Sequence, residues 1–222
     1  MGALRGRSRL TGWQRAHPAT TTLVAVLVTV FAVQSVVWWL FGFRAMAFWF
    51  AASAEPSPGW LLAPLGHQSV GHLLGNLLVL VLFGSYAEEV LSEAETYVLF
   101  LVAGLAGNAA QVSSYVVASV GSGAVGASAA ILGVVTFHAV RSMRATLARS
   151  DQPFTSRYWG LAGAVVVVVL LANDLFTFSL WAGTAEYAHL AGVVVGAGGA
   201  LSHPLASPGR LAALSDGNGS EK

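Results

Sequence analysis

The sequence predicts an all-α membrane protein built as a bundle of six transmembrane helices. Three observations predict it: scarce charge, six apolar stretches near membrane-spanning length, and basic residues concentrated in alternate connections. Of 222 residues, 55% are hydrophobic and only 9% are Asp, Glu, Lys or Arg, where a soluble chain carries about 25% charged residues. So few charges cannot coat a water-facing surface, and the exterior is expected to face lipid. No cysteine is present, which excludes disulfides and thiolate chemistry. The eleven basic residues are scattered among loops and the net charge is +1, so composition points to no nucleic-acid partner.

Crossing a hydrocarbon core of about 30 Å takes about 20 mostly apolar residues. The first expected span, 21–41, contains no charge. The second covers about 70–86, the third 97–117 and the fourth 127–140, the shortest. The fifth covers 158–175, with the run Val165 to Leu171, and the sixth 182–201. Basic residues orient the bundle. Arg5, Arg7, Arg9 and Arg15 precede span one, Arg141, Arg144, Arg149 and Arg157 separate spans four and five, and Arg210 and Lys222 follow span six. With the N-terminus inside, ten of eleven basic residues are cytoplasmic and only Arg44 lies outside. Residues 1–20 are then a cytoplasmic N-terminal segment, 21–203 the six-helix domain and 204–222 a flexible cytoplasmic tail.

Ala52-Ser53-Ala54 has the small residues of a signal-peptide cleavage site, but lies more than ten residues past the first apolar run. An uncleaved first helix is expected. The connection 42–69 holds Phe43, Phe48, Trp49, Phe50 and Trp60, then Pro56, Pro58 and Pro64. Aromatics of this kind favour the membrane–water interface. The loop reads either as an interfacial anchor or as a segment partly submerged beside an active site.

Polar groups inside a span are costly, and each is a candidate site by default. His72, Asn76, Ser128 and His189 stand out. His72 and Asn76 are four apart, so on a helix they share one face. With alternating helix directions, both lie near the outer end of span two, Ser128 at the outer start of span four, and His189 a turn or two inside span six. Four polar side chains from three helices thus meet in the outer half of the membrane. Gly192 and Gly196 lie on the face of His189 and permit close helix approach, which a short serine hydroxyl needs in order to reach an imidazole. Gly126, with Gly121 and Gly123 before it, permits backbone conformations other residues resist. Taken singly, each feature has a plainer reading: a serine bonding its own helix, a histidine bridging two helices, a glycine pair packing them. His138 lies ten residues past Ser128, toward the cytoplasmic face, and His17 and His203 are terminal. Geometry alone leaves open whether His72 or His189 is the base.

The segment His67-Gln68-Ser69-Val70-Gly71-His72-Leu73-Leu74-Gly75-Asn76 resembles the HxxxxHxxxN signature of the rhomboid family. Gly126-Ala127-Ser128-Ala129 resembles its GxSG nucleophile motif. Ala188-His189-Leu190-Ala191-Gly192, with Gly196, resembles its AHxxGxxxG motif. The three occur in family order on the expected helices, across about residues 60–196. The resemblance implies a rhomboid-like six-helix bundle and an intramembrane serine endopeptidase working by a Ser–His dyad. Ser128 would be the nucleophile, His189 the base, and His72, Asn76 and the Ser128 N–H the oxyanion hole. His67, Gly126, Gly192 and Gly196 would support them, with Glu89 and Gln111 at further polar positions of the family. Substrates would be single-span or polytopic membrane proteins, with neither metal nor organic cofactor. The enzyme would sit in the cell membrane with its site opening outward.

Three departures accompany the likeness. Ala129 replaces the last glycine of GxSG, and Trp60-Leu61 stands where many members have Trp-Arg. Leu132 occupies the position of a tyrosine that in some members stacks on the catalytic histidine, so another group must orient His189. A non-proteolytic rhomboid-like client binder is the main alternative, although such relatives typically lose the serine or histidine. A transporter is the other, and it would more often carry inverted repeats.

Overall fold

The computed structural model describes residues 12–119, 123–148, 154–178 and 185–205. Arg5, Arg7, Arg9, Gly121, Arg149 and most of the expected tail fall outside that set. The described residues form six long helices: α1 (Pro18–Phe50), α2 (Val70–Glu88), α3 (Glu93–Val117), α4 (Ser128–Leu147), α5 (Phe154–Phe178) and α6 (Glu186–Ser202). A four-residue helix, Gly59–Leu62, and a 3-10 turn, Ala63–Leu65, lie between α1 and α2. No strand occurs among the described residues, apart from one isolated antiparallel bridge between Ala52 and Ala124.

Each long helix overlaps one expected span. Length and composition alone suit α1, α2, α3 and α5 to cross a membrane. The other two fall short for physical reasons. α6 has only 17 residues, while α4 carries His138, Arg141 and Arg144. α4 is the central helix, packed against α2, α3, α5 and α6. Most of its side chains are buried, His138 and Arg141 among them, so it meets protein rather than lipid and needs no uniformly apolar surface. Its burial also carries it past residue 140, where the sequence reading ended it. Around this polar-containing centre, large apolar side chains face outward: Trp39 is 83% exposed, Val168 66% and Val194 63%. An apolar exterior of this extent suits a lipid solvent.

α1 differs most from expectation. It continues to residue 50 beyond a break at Gly42, whose φ of 79° and ψ of 177° interrupt the helix. Glycine reaches positive φ without a Cβ penalty, so the chain turns there and resumes as a helix through Phe50. Phe43, Phe48 and Trp49 remain exposed on that second segment, as an interfacial anchor requires. The same loop is also fastened to the protein interior. Buried Gln34 clasps the His67 backbone, accepting from its N–H at 3.0 Å and donating to its carbonyl at 2.7 Å.

Helix starts are capped in three ways. Ser69 accepts from the His72 N–H at 3.2 Å. Ser92 and Glu95 form a reciprocal capping box, satisfying two otherwise unpaired donors. α1 lacks a cap of its own; instead the Glu88 carboxylate, at the end of α2, accepts from the Ala19 and Thr20 N–H groups at 2.7 and 2.8 Å. Glu88→Ala is expected to cost about 1.5–3 kcal/mol, the range for hydrogen bonds to charged groups. Thermal unfolding in detergent checks this, and an unchanged melting temperature would contradict it.

Candidate active site

Ser128 is the first residue of α4, and its position depends on the loop that delivers it. Gly126 has φ of 147°, a conformation strained for any residue with a Cβ. Its N–H donates to the Ala63 carbonyl at 3.0 Å, and Ala124 exchanges two backbone hydrogen bonds with Ala52 at 2.8 and 2.9 Å. The nucleophile loop is therefore laced to the α1–α2 connection from both of its neighbouring segments.

α6 reaches Ser128 because glycine removes the intervening bulk. A Cβ at Gly192 would collide with the Ala129 carbonyl oxygen, and one at Gly196 with that of Gly133. The two backbones of α4 and α6 are thus in direct contact along this stripe. α3 closes in as well: the buried Gln111 side chain accepts from the Ala188 N–H at 3.1 Å, fixing the residue before His189. The result is a hydrogen bond of 2.7 Å between His189 Nε2 and Ser128 Oγ, within the range for proton transfer. Gly196→Val should push α6 off α4 and lower any Ser128-dependent turnover roughly 10²-fold, the scale expected for a misplacement of about 1 Å. A folded Gly196→Val protein turning over at the parent rate would contradict this.

His72 lies in the first turn of α2. Its ring borders Gly126: a Cβ there would stand 3.1 Å from His72 Cε1 and 3.7 Å from both His72 Nε2 and Ser128 Oγ. The imidazole and the hydroxyl therefore flank one small space. Asn76 is buried, and its Nδ2 donates to His67 Nε2 at 3.0 Å. A carboxamide nitrogen carries two hydrogens, so a second N–H remains beyond this bond. His67 sits edge-on to His72, with ring centroids 5.3 Å apart. Burial first, and the neighbouring His72 second, push the His67 imidazole down to about 4. It therefore stays neutral near pH 7, with one ring nitrogen able to accept the Asn76 hydrogen bond.

Sequence reasoning missed one member of this group. Asp174, near the end of α5, places Oδ2 2.6 Å from His189 Nδ1. The available signal was an ionisable side chain inside an otherwise apolar span. Helix directions agree with a common depth: His72, Ser128 and His189 lie in the first turns of α2, α4 and α6, and Asp174 in the closing turns of the oppositely directed α5. Leu132 is buried in the apolar core. His138 is buried against Tyr86, with ring centroids 5.4 Å apart, ten residues along α4 from Ser128. His17 and His203 are half-buried; His203 stands edge-on to Phe137 at 5.6 Å. Glu89 is exposed. Among the described residues, no group of three His, Asp or Glu side chains is placed to hold a metal ion.

A hydroxyl hydrogen-bonded to an imidazole, beside a second imidazole, a carboxamide and a helix N-terminus, can activate an oxygen nucleophile and stabilise an oxyanion. The family model for the Rhomboid domain matches residues 58–202, more than half of the chain and the whole of α2 to α6. No curated protein matches the chain.

Proposed function

Because the chain belongs to the rhomboid family, we propose that it is an intramembrane serine endopeptidase, hydrolysing peptide bonds in or near transmembrane helices of membrane-protein substrates. The observation that carries this reading is the 2.7 Å contact between Ser128 Oγ and His189 Nε2. A protein that only bound membrane clients would have no need of it.

In the proposed reaction, Ser128 Oγ attacks the scissile carbonyl carbon as His189 Nε2 takes its proton. The tetrahedral intermediate collapses when His189 returns that proton to the leaving amine, leaving an acyl-Ser128 ester. Water, deprotonated by His189, then hydrolyses the ester and restores the hydroxyl. The oxyanion would be held by the Ser128 backbone N–H, one of the unpaired donors at the start of α4, together with His72 and the second N–H of Asn76. His67 orients that carboxamide, and Gly126, Gly192 and Gly196 supply the close approaches.

The domain would occupy residues 21–203, flanked by cytoplasmic segments. Basic residues would hold the termini of this multi-pass protein inside the cell membrane and turn the site toward the exterior. A shallow site between helices would favour small residues at the scissile bond.

Cleavage of a single-span substrate by purified protein in detergent tests the proposal. His72→Ala and Asn76→Ala should each lower kcat roughly 10²–10³-fold, the usual cost of one oxyanion donor, with less change in KM. Client binding without any cleavage would favour the non-proteolytic alternative.

A further inference from the structure

We infer that Asp174 is a positioning residue for His189, so that the reaction draws on three side chains from α4, α5 and α6 rather than on a Ser–His pair. This rests on the protease reading above. The Asp174 and His189 side chains are 9% and 15% exposed, and their Oδ2 and Nδ1 atoms lie 2.6 Å apart. On its other edge the same ring meets Ser128 Oγ at 2.7 Å. The imidazole is thus held at both nitrogens.

The chemistry of those two contacts fixes the proton. With Asp174 as a carboxylate, its oxygens only accept hydrogen bonds, and the 2.6 Å contact then places the hydrogen on Nδ1. A neutral ring with its hydrogen on Nδ1 offers a lone pair at Nε2, where the Ser128 hydroxyl can donate. The opposite tautomer would present an N–H to Ser128 and could not take its proton. When Nε2 receives that proton, the cationic ring stands beside a carboxylate in a water-poor setting, where their attraction is stronger than in bulk solvent.

Two further observations agree. A carboxylate within an apolar helix is costly and is retained where it has a polar role; Asp174 spends its position on the histidine edge opposite the serine. Leu132, one turn past Ser128 on α4, belongs to the apolar core and offers the ring no hydrogen bond. The polar contact on His189 Nδ1 comes from α5 instead.

The test uses the full chain in detergent. Asp174→Asn keeps the shape and removes the charge: kcat should fall roughly 10²–10⁴-fold with KM little changed, and Asp174→Glu should recover part of that loss. Nitrogen NMR of histidine-labelled protein should find His189 of the parent protonated at Nδ1, and Asp174→Asn should lose that fixed tautomer. The inference is overturned if Asp174→Asn turns over at the parent rate, or if the parent carries its His189 proton on Nε2. Should Asp174→Asn not fold, the tautomer of the parent decides alone. Absence of cleavage by the parent would sink the protease reading instead, since the NMR readout needs no turnover.

Discussion

Ser128→Ala is expected to lower kcat for substrate cleavage by roughly 10⁵–10⁶-fold, the scale seen when a serine nucleophile is removed. The reason is local. The hydroxyl is the group 2.7 Å from His189 Nε2, and no cysteine exists to replace it. Stability should hardly change. Ser128 is half-buried at the start of α4, and its loss removes about one hydrogen bond, worth about 0.5–1.5 kcal/mol. Rate and thermal unfolding measured on the same preparation separate the two effects. A folded Ser128→Ala protein that still cleaves would remove the proposed nucleophile.

His189→Ala should lower kcat on the same scale, because nucleophile and base act as one unit and their losses do not add. The double substitution should therefore be no slower than either single one. Stability should respond differently. His189→Ala removes the 2.6 Å contact with Asp174, and a hydrogen bond to a charged group is worth about 1.5–3 kcal/mol. His189→Ala is thus expected to melt below Ser128→Ala in thermal unfolding while cleaving equally slowly. Additive rate losses in the double variant would contradict a shared proton-transfer step.

Most of the helical architecture was legible because a lipid-facing helix writes its environment into an unbroken apolar run. The limits of that signal appear where a helix does not face lipid. α4 was expected to end at residue 140, since Arg141 and Arg144 read as loop charges; instead Arg141 is buried, and the Arg144 guanidinium donates to the carbonyls of Ala200 and His203. Gly42 and Arg44 likewise suggested an open loop, whereas the chain turns once at Gly42 and resumes its helix.

Of the candidate site, Ser128, His72, Asn76 and His189 were visible because polar side chains are rare in spans and their spacing formed motifs. The Asn76–His67 bond, between a helix and the loop before it, needed coordinates. Asp174 escaped notice for a physical reason: it lies near the end of an apolar run, where a charge reads as the beginning of the next loop. Here it turns inward to an imidazole 15 positions later in the chain.

Reaction with a fluorophosphonate, followed by mass spectrometry of the modified peptide, tests most directly whether His189 activates Ser128. The expected result is a phosphonylated Ser128 in the parent and none in folded His189→Ala. Equal labelling of both proteins, or an unlabelled Ser128 in the folded parent, would contradict the account.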